Sequence, residues 1–414
     1  MRGRQGRLAA WLLLGCLLLP ARARASYEEF STFHVGRTEA DDEFLFDHEL
    51  VRSPFMWHPE FDQSLNAFRS SMGCLTAGNW FMDNELKFQA PLGDTARFVF
   101  EYRDVQDMEA VYNWTRLEAR FPIANTGLWG VRFSPTFEKS RHDIALVWDH
   151  GNAVSPLQVQ AVYTVEDAFN HFWSTRQVEV GGEAEPYIRH PYEPALGVAW
   201  RGKRLTLSAR AKWLTPSTKR FEVTDPALRR EVKLWGAKGD AFVSQTIGRT
   251  TVEAAFENIQ ASTYADWEQQ PGDHHNFNRR WRIKGSLVQD FGAHAHAALR
   301  YFYMDRTEVW RPPIANGTLN VIDRALMIES WFQGPWALGL RVGGMRDRVT
   351  VANGVPWELS KSAGTRHETR AVISLQKMFG RMRIQGTECI ELDQEPYEVT
   401  FHHDKGFIQL QTTF

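Results

Sequence analysis

From about Trp80 to the carboxyl terminus, apolar side chains recur at every second position in one segment after another. Successive side chains of a β-strand point to opposite faces, so this rhythm marks a sheet with one apolar and one polar face. Residues 205–213 show it best. Leu205, Leu207, Ala209, Ala211 and Trp213 alternate there with Thr206, Ser208, Arg210 and Lys212. Segments 80–89, 97–103, 157–166, 252–256, 281–287, 295–303 and 338–342 follow the same rule. The last residues keep it: Ile408, Leu410, Thr412 and Phe414 lie on one face, Phe407, Gln409, Gln411 and Thr413 on the other.

The connections add the second constraint. Short turns at 201–204, 247–250, 291–293, 334–336 and 379–381 alternate with long polar stretches at 167–192, 215–230, 260–278, 305–316 and 347–367. Hairpin ends sorted by length onto two sides suit a sheet that stands across a membrane, with short turns on one side and long loops on the other. A soluble sandwich has no reason to sort them. The expected fold is all-β: a transmembrane, antiparallel, up-and-down β-barrel of about 18 strands, with 16 as the fallback. Roughly 17 strands are recognisable, and a single-chain barrel of this kind takes an even number. One further strand is therefore expected before Trp80. The aromatic content (16 Trp, 27 Phe, 10 Tyr) suits girdles at two membrane interfaces.

The amino end reads as a processed leader over residues 1–25. Arg2, Arg4 and Arg7 are followed by an apolar run from Leu8 to Leu19 and by Ala23-Arg24-Ala25 as a cleavage site. Leu13-Leu14-Gly15-Cys16 offers a competing lipoprotein-type box. Residues 26–70 are acidic at their start and poorly alternating, and read as an arm, a plug or an irregular first strand. Within them 43–50 suggests a strand and 62–71 a short helix. The barrel is expected over 71–414. Together the leader, the alternating strands, the short–long connections and the terminal Phe414 resemble Gram-negative outer-membrane β-barrels of the porin class. The size and strand count resemble barrels of polysaccharide export and capsule assembly. That resemblance implies the cell outer membrane, contact with its lipid, and transport.

Function classes narrow further. A net charge of −2 carries no nucleic-acid footprint. No G-x-S-x-G, H-E-x-x-H or P-loop pattern is present, so no enzyme activity is expected. His274-His275 and His402-His403 lack a third ligand at a metal-binding spacing, and no cofactor is expected. If the apolar face meets lipid, the pore-lining face carries Lys87, Arg97, Arg103, Arg132, Arg210, Lys212, Arg280, Arg282, Lys284, Arg300, Arg341, Arg370 and Arg383. The acids Asp83, Glu85, Glu101, Glu166, Glu253 and Glu257 share it. Rings of one charge set ion selectivity, so the basic excess predicts an anionic solute; pairing across strands would cancel it. Trp173, Trp267, Trp310 and Trp357, placed in the long loops, are candidate stacking platforms for a saccharide. Alternatives are folding of the loops over the mouth, a sheath around a multihaem electron-transfer partner, and a plugged barrel that binds at the surface. A periplasmic export partner is a further expectation. Cys74 and Cys389 could pair if the first and last strands are neighbours.

Overall fold

The computed structural model describes residues 67–413, apart from 77–78, 93–95, 108–110, 124–126, 136–141, 152–154, 166–167, 169–176, 179–182, 185–186, 223–224, 270–274, 293, 311–316, 354–363 and 394–402. The expectations for residues 1–25 and for 26–66 lie outside the described residues. The strands, in chain order, are β1 (Ala67–Thr76), β2 (Asn79–Leu92), β3 (Ala96–Asp107), β4 (Val111–Pro122), β5 (Leu128–Pro135), β6 (His142–His150) and β7 (Leu157–Val165). Three short strands follow in the longest connection: β8 (Gln177–Val178), β9 (Glu183–Ala184) and β10 (Tyr187–Arg189). The rest are β11 (Tyr192–Arg201), β12 (Leu205–Phe221), β13 (Arg230–Ile247), β14 (Thr250–Trp267), β15 (His275–Asp290), β16 (Ala295–Trp310), β17 (Gly317–Gln333), β18 (Leu338–Asn353), β19 (Gly364–Phe379), β20 (Met382–Glu391) and β21 (His403–Thr413).

Each of β1 to β7 pairs antiparallel with the next; β7 pairs with β11, and β11 to β21 again pair in succession. β21 then returns to β1, with Ala67 opposite Thr413 and Cys74 opposite Gly406. Among the described residues the sheet counts 19 strands because β10 adds to the upper part of β12; without it the ring closes with 18. Closure leaves no sheet edge, which is what hydrocarbon demands of a β-structure. β1 is the strand expected before Trp80. It replaces the helix expected over 62–71 as far as the described residues reach, and it starts the barrel at Ala67 rather than at residue 71. Arg69, Ser71 and Gly73 on one side of it and Phe68, Ser70 and Met72 on the other give too weak an alternation to declare a strand.

Two tight turns at the short-connection end have a glycine where the backbone requires one. Gly248 and Gly380 sit at φ +63° and +61°, each first in a two-residue hairpin loop. That left-handed position matches the right-handed twist of the flanking strands and excludes a Cβ at little cost only for glycine. At the opposite end the strands run much further than the polar stretches suggested. β12 continues to Phe221, β14 to Trp267, β16 to Trp310 and β18 to Asn353. Parts of the stretches at 215–230, 260–278, 305–316 and 347–367 that read as loop are thus strand. Alternation is the imprint of lipid, and a strand that rises above the lipid keeps its ladder while both faces turn polar. On β12 the transition is marked by a bulge: the register shifts between Leu214 and Ser217, and Pro216, which has no N–H to give, sits in it.

Residues opposite one another in the ladders share a face. One face carries Leu146, Val252, Leu287, Leu299, Leu326, Ile328, Leu340, Ile373 and Ile408, all large, apolar and exposed. Aromatic residues bound this band: Phe121, Phe332 and Phe379 toward the short turns, and Tyr163, Trp213 and Tyr301 toward the long connections. Tyr163 stacks on Tyr192 across β7 and β11, with ring centres 5.8 Å apart. An apolar band between two aromatic girdles around a closed ring is the architecture of a transmembrane, outer-membrane-type barrel.

Candidate functional site

The other face lines the lumen. Register places on it Asp83, Glu85 and Lys87 of β2, Arg97, Glu101 and Arg103 of β3, and Arg132 of β5. On the far wall it places Arg210 and Lys212 of β12, Glu253 and Glu257 of β14, Arg280, Arg282 and Lys284 of β15, Arg300 of β16, Arg341 of β18, Arg370 of β19 and Arg383 of β20. Glu166 lies outside the described residues. All of these positions follow from the alternation alone, since one residue of slip would reverse the whole strand.

What the sequence did not reveal is how many carboxylates join them. On one wall, Arg116 pairs with Glu101 at 2.5 Å, Arg132 with Glu118 at 2.9 Å, and Arg120 bridges Glu118 to Asp149. Gln160 donates to the other oxygen of Asp149 at 2.8 Å. This chain crosses β3 to β7. On the next arc Lys212 meets Glu193, and Arg210 meets Asp240, both at 3.3 Å. Glu257 gathers Lys238 at 3.6 Å, Arg280 at 3.9 Å and Arg282, whose Nε donates at 2.7 Å. On the third arc Glu329 stands between Arg300 at 2.6 Å and Arg341, whose Nε also donates at 2.6 Å. Both guanidinium groups lie against the Trp331 ring, 5.4 and 5.5 Å from its centre. Most of the expected basic excess is therefore answered by cross-strand acids. Glu101 and Glu257 are among the acids expected on this face; Glu118, Asp149, Glu193, Asp240 and Glu329 are not, because the register between strands, and no local pattern, brings them to their cations.

Part of the lumen wall is apolar. Phe302, Met327, Met345 and Val372 face inward and are fully buried. Below them a cavity of about 130 Å³ opens among His296, Trp331, Arg341, Ser374, Gln376, Arg383 and Gln385, near the short turns. It offers two guanidinium groups, amides and an indole face. Arg383 is oriented by its 2.6 Å bond to Gln411. Such a lining suits a polar, hydroxylated or anionic small molecule.

At the opposite mouth the Arg230 guanidinium lies between two aromatic rings, 4.0 Å from the centre of Phe221 and 4.8 Å from that of Trp267. The three are ladder neighbours on the lumen face. Trp267 is thus a strand residue already covered on one side by a cation, and not a platform on a loop. Trp310 ends β16 opposite Gly317, also in the ladder. Trp173 and Trp357 lie outside the described residues. On the outward face of the same hairpin, above the apolar band, Lys233 donates to Asp266 at 3.1 Å, and that bond holds its ammonium above the usual lysine range.

The cysteine pairing is corrected by the topology. Cys74 is opposite Gly406 and Cys389 opposite Lys405, so β21 runs between them. Two strand spacings, about 9.5 Å, exceed the roughly 7 Å that a disulfide spans between Cα atoms.

No family model matches the chain, and no curated protein matches it. The chain is similar to several solved structures at low identity. OmpT of Vibrio cholerae, with loop L8 deleted, is 8% identical with a TM-score of 0.39, covering 84% of this chain and 97% of its own. A bacterial polysaccharide outer membrane secretin is 11% identical with a TM-score of 0.41, over 84% and 96%. CdiB of Acinetobacter baumannii is 9% identical with a TM-score of 0.43, over 84% of this chain but 60% of its own. At this distance no residue role is carried across.

Proposed function

We propose that the chain is an outer-membrane pore for polar solutes with a modest preference for anions. The observation that carries this reading is the closed ring itself: apolar outside, and charged, ion-paired and polar inside. A lumen enclosed by 18 strands is wide enough for an aqueous path, and side chains projecting from the wall set its constriction. Here the wall charges pair among themselves, so a passing solute meets fixed, alternating dipoles rather than one strong field. The residual basic character, with Arg341 and Arg383 on the cavity near the short turns, favours anionic or heavily hydroxylated solutes. A saccharide fits that chemistry, and the arginine–aromatic stack at the other mouth would present it with a second polar surface. We place the long connections outside and the short turns in the periplasm.

A plugged barrel is the second reading, favoured by the full burial of Phe302, Met327, Met345 and Val372 on the lumen wall. A wide sheath around a partner is disfavoured by that burial. Planar-bilayer recordings of the purified protein separate them. The pore reading expects stable single-channel steps and a reversal potential shifted toward that of chloride under a KCl gradient. Absence of steps would favour the plug, and cation selectivity would refute the anion preference.

A further inference from the structure

We propose that Arg324, Arg346 and Arg348 bind a phosphate group of an acylated, phosphorylated glycolipid in the outer leaflet. Arg324 of β17 and Arg348 of β18 are directly opposite in the ladder, and Arg346 is the next outward position along β18, opposite Leu326. All three are exposed. Their face is the apolar one: Leu326, Ile328, Leu340 and Val342, all exposed, continue it toward the short turns on the same two strands. The arginines therefore stand just above the lipid band, at the long-connection side.

Like charges directly opposite on a sheet repel. Among the described residues no carboxylate pairs with any of the three. Asp305, on the same outward face, is opposite Ile322 and forms no ion pair with them. Two other cations along this rim are matched: Arg220 approaches Glu231 at 3.7 Å and Lys233 approaches Asp266 at 3.1 Å. The unmatched group is also held in place, since Tyr303 lies beside Arg324 with its ring centre 5.5 Å from the guanidinium. Guanidinium forks fit phosphate oxygens in a bidentate manner. A soluble anion would leave the apolar strip below unused. A lipid with phosphates at the headgroup and acyl chains beneath them uses both.

The inference rests on the long connections facing outward, and its test is separate from that of the pore. The full chain, folded in a non-ionic detergent, is titrated with purified bisphosphorylated lipid A, and bound lipid is counted by native mass spectrometry. Wild type is expected to retain lipid A, and R324Q/R348Q to bind it at least about tenfold more weakly. R220Q, at a matched rim arginine, is expected to bind as wild type does. Should the double variant not fold, R324Q and R346Q singly carry the test, each with a measurable loss. Undiminished binding by these variants, or equal retention of dephosphorylated lipid A or of phosphatidylglycerol, would overturn the proposal. Conductance of the same preparation reports on the pore independently.

Discussion

Replacing Glu329 by glutamine isolates the electrostatics of the lumen wall. Glu329 is 1% exposed, and the two arginines it joins, Arg300 and Arg341, are 3% and 2% exposed. The amide keeps the volume and removes the charge, leaving two buried guanidinium groups without their shared counter-ion. Breaking a buried pair by removing one partner costs about 3–5 kcal/mol, because the remaining charge stays desolvated. The site is a triad, so E329Q should fall in the upper half of that range. With a denaturant slope of about 2–3 kcal/mol per molar urea, the unfolding midpoint drops by ~1.3–2.5 M. The assay is urea-dependent folding into lipid vesicles, read by the mobility difference between folded and unfolded barrel. Adding R341M to E329Q removes one stranded charge and should recover part of the loss. Recordings on E329Q should also show a reversal potential moved toward chloride, since the lumen gains one net positive charge. A midpoint within about 0.2 M of wild type would refute the reasoning: these side chains would then be in water, where such pairs contribute little.

Two further outcomes follow from the same structure. Ile328, 60% exposed in the apolar band, should not tolerate a charge: I328K is expected to destabilise by about 2–4 kcal/mol in the vesicle assay, and a neutral result would mean that this face does not meet lipid. Gly248→Ala should cost about 1–2 kcal/mol through its positive φ alone, because a Cβ there meets nothing within 4 Å; Gly285→Ala, equally uncrowded but without positive φ, should cost less than half as much.

The barrel was legible because lipid writes a two-residue period into each strand that crosses it. Leu205 to Trp213 show the period cleanly, and the register then assigns Arg210 and Lys212 to the lumen without any structure. The same cause explains the failures. Above the bulge at Pro216, Lys219 and Arg220 no longer separate a lipid face from a water face, so residues 215–230 read as loop although β12 runs to Phe221. Trp267 and Trp310 read as loop platforms for the same reason. On β17 the period vanishes because Met327 faces inward between Leu326 and Ile328, which face lipid. The ion pairs were illegible for a different reason. Glu118, Asp149 and Glu329 meet partners on other strands, and only the closed ring's register brings them together.

That closure is the claim on which the lumen, the lipid face and the arginine patch all stand, and cysteine cross-linking between β1 and β21 tests it most directly. In a background of Cys74→Ser and Cys389→Ser, two pairs are introduced: Ser71→Cys with Gln409→Cys on the lumen side, and Ser70→Cys with Leu410→Cys on the lipid side. The two differ in ladder class, so one has the closer approach that a cross-strand disulfide needs. Thr246→Cys with Thr251→Cys, in the β13–β14 hairpin, reports that oxidation has worked. A closed ring predicts that at least one β1–β21 pair oxidises in the folded, vesicle-inserted protein, and that the off-register pair Ser71→Cys with Leu410→Cys does not. If the hairpin control links while neither β1–β21 pair does, the sheet is open.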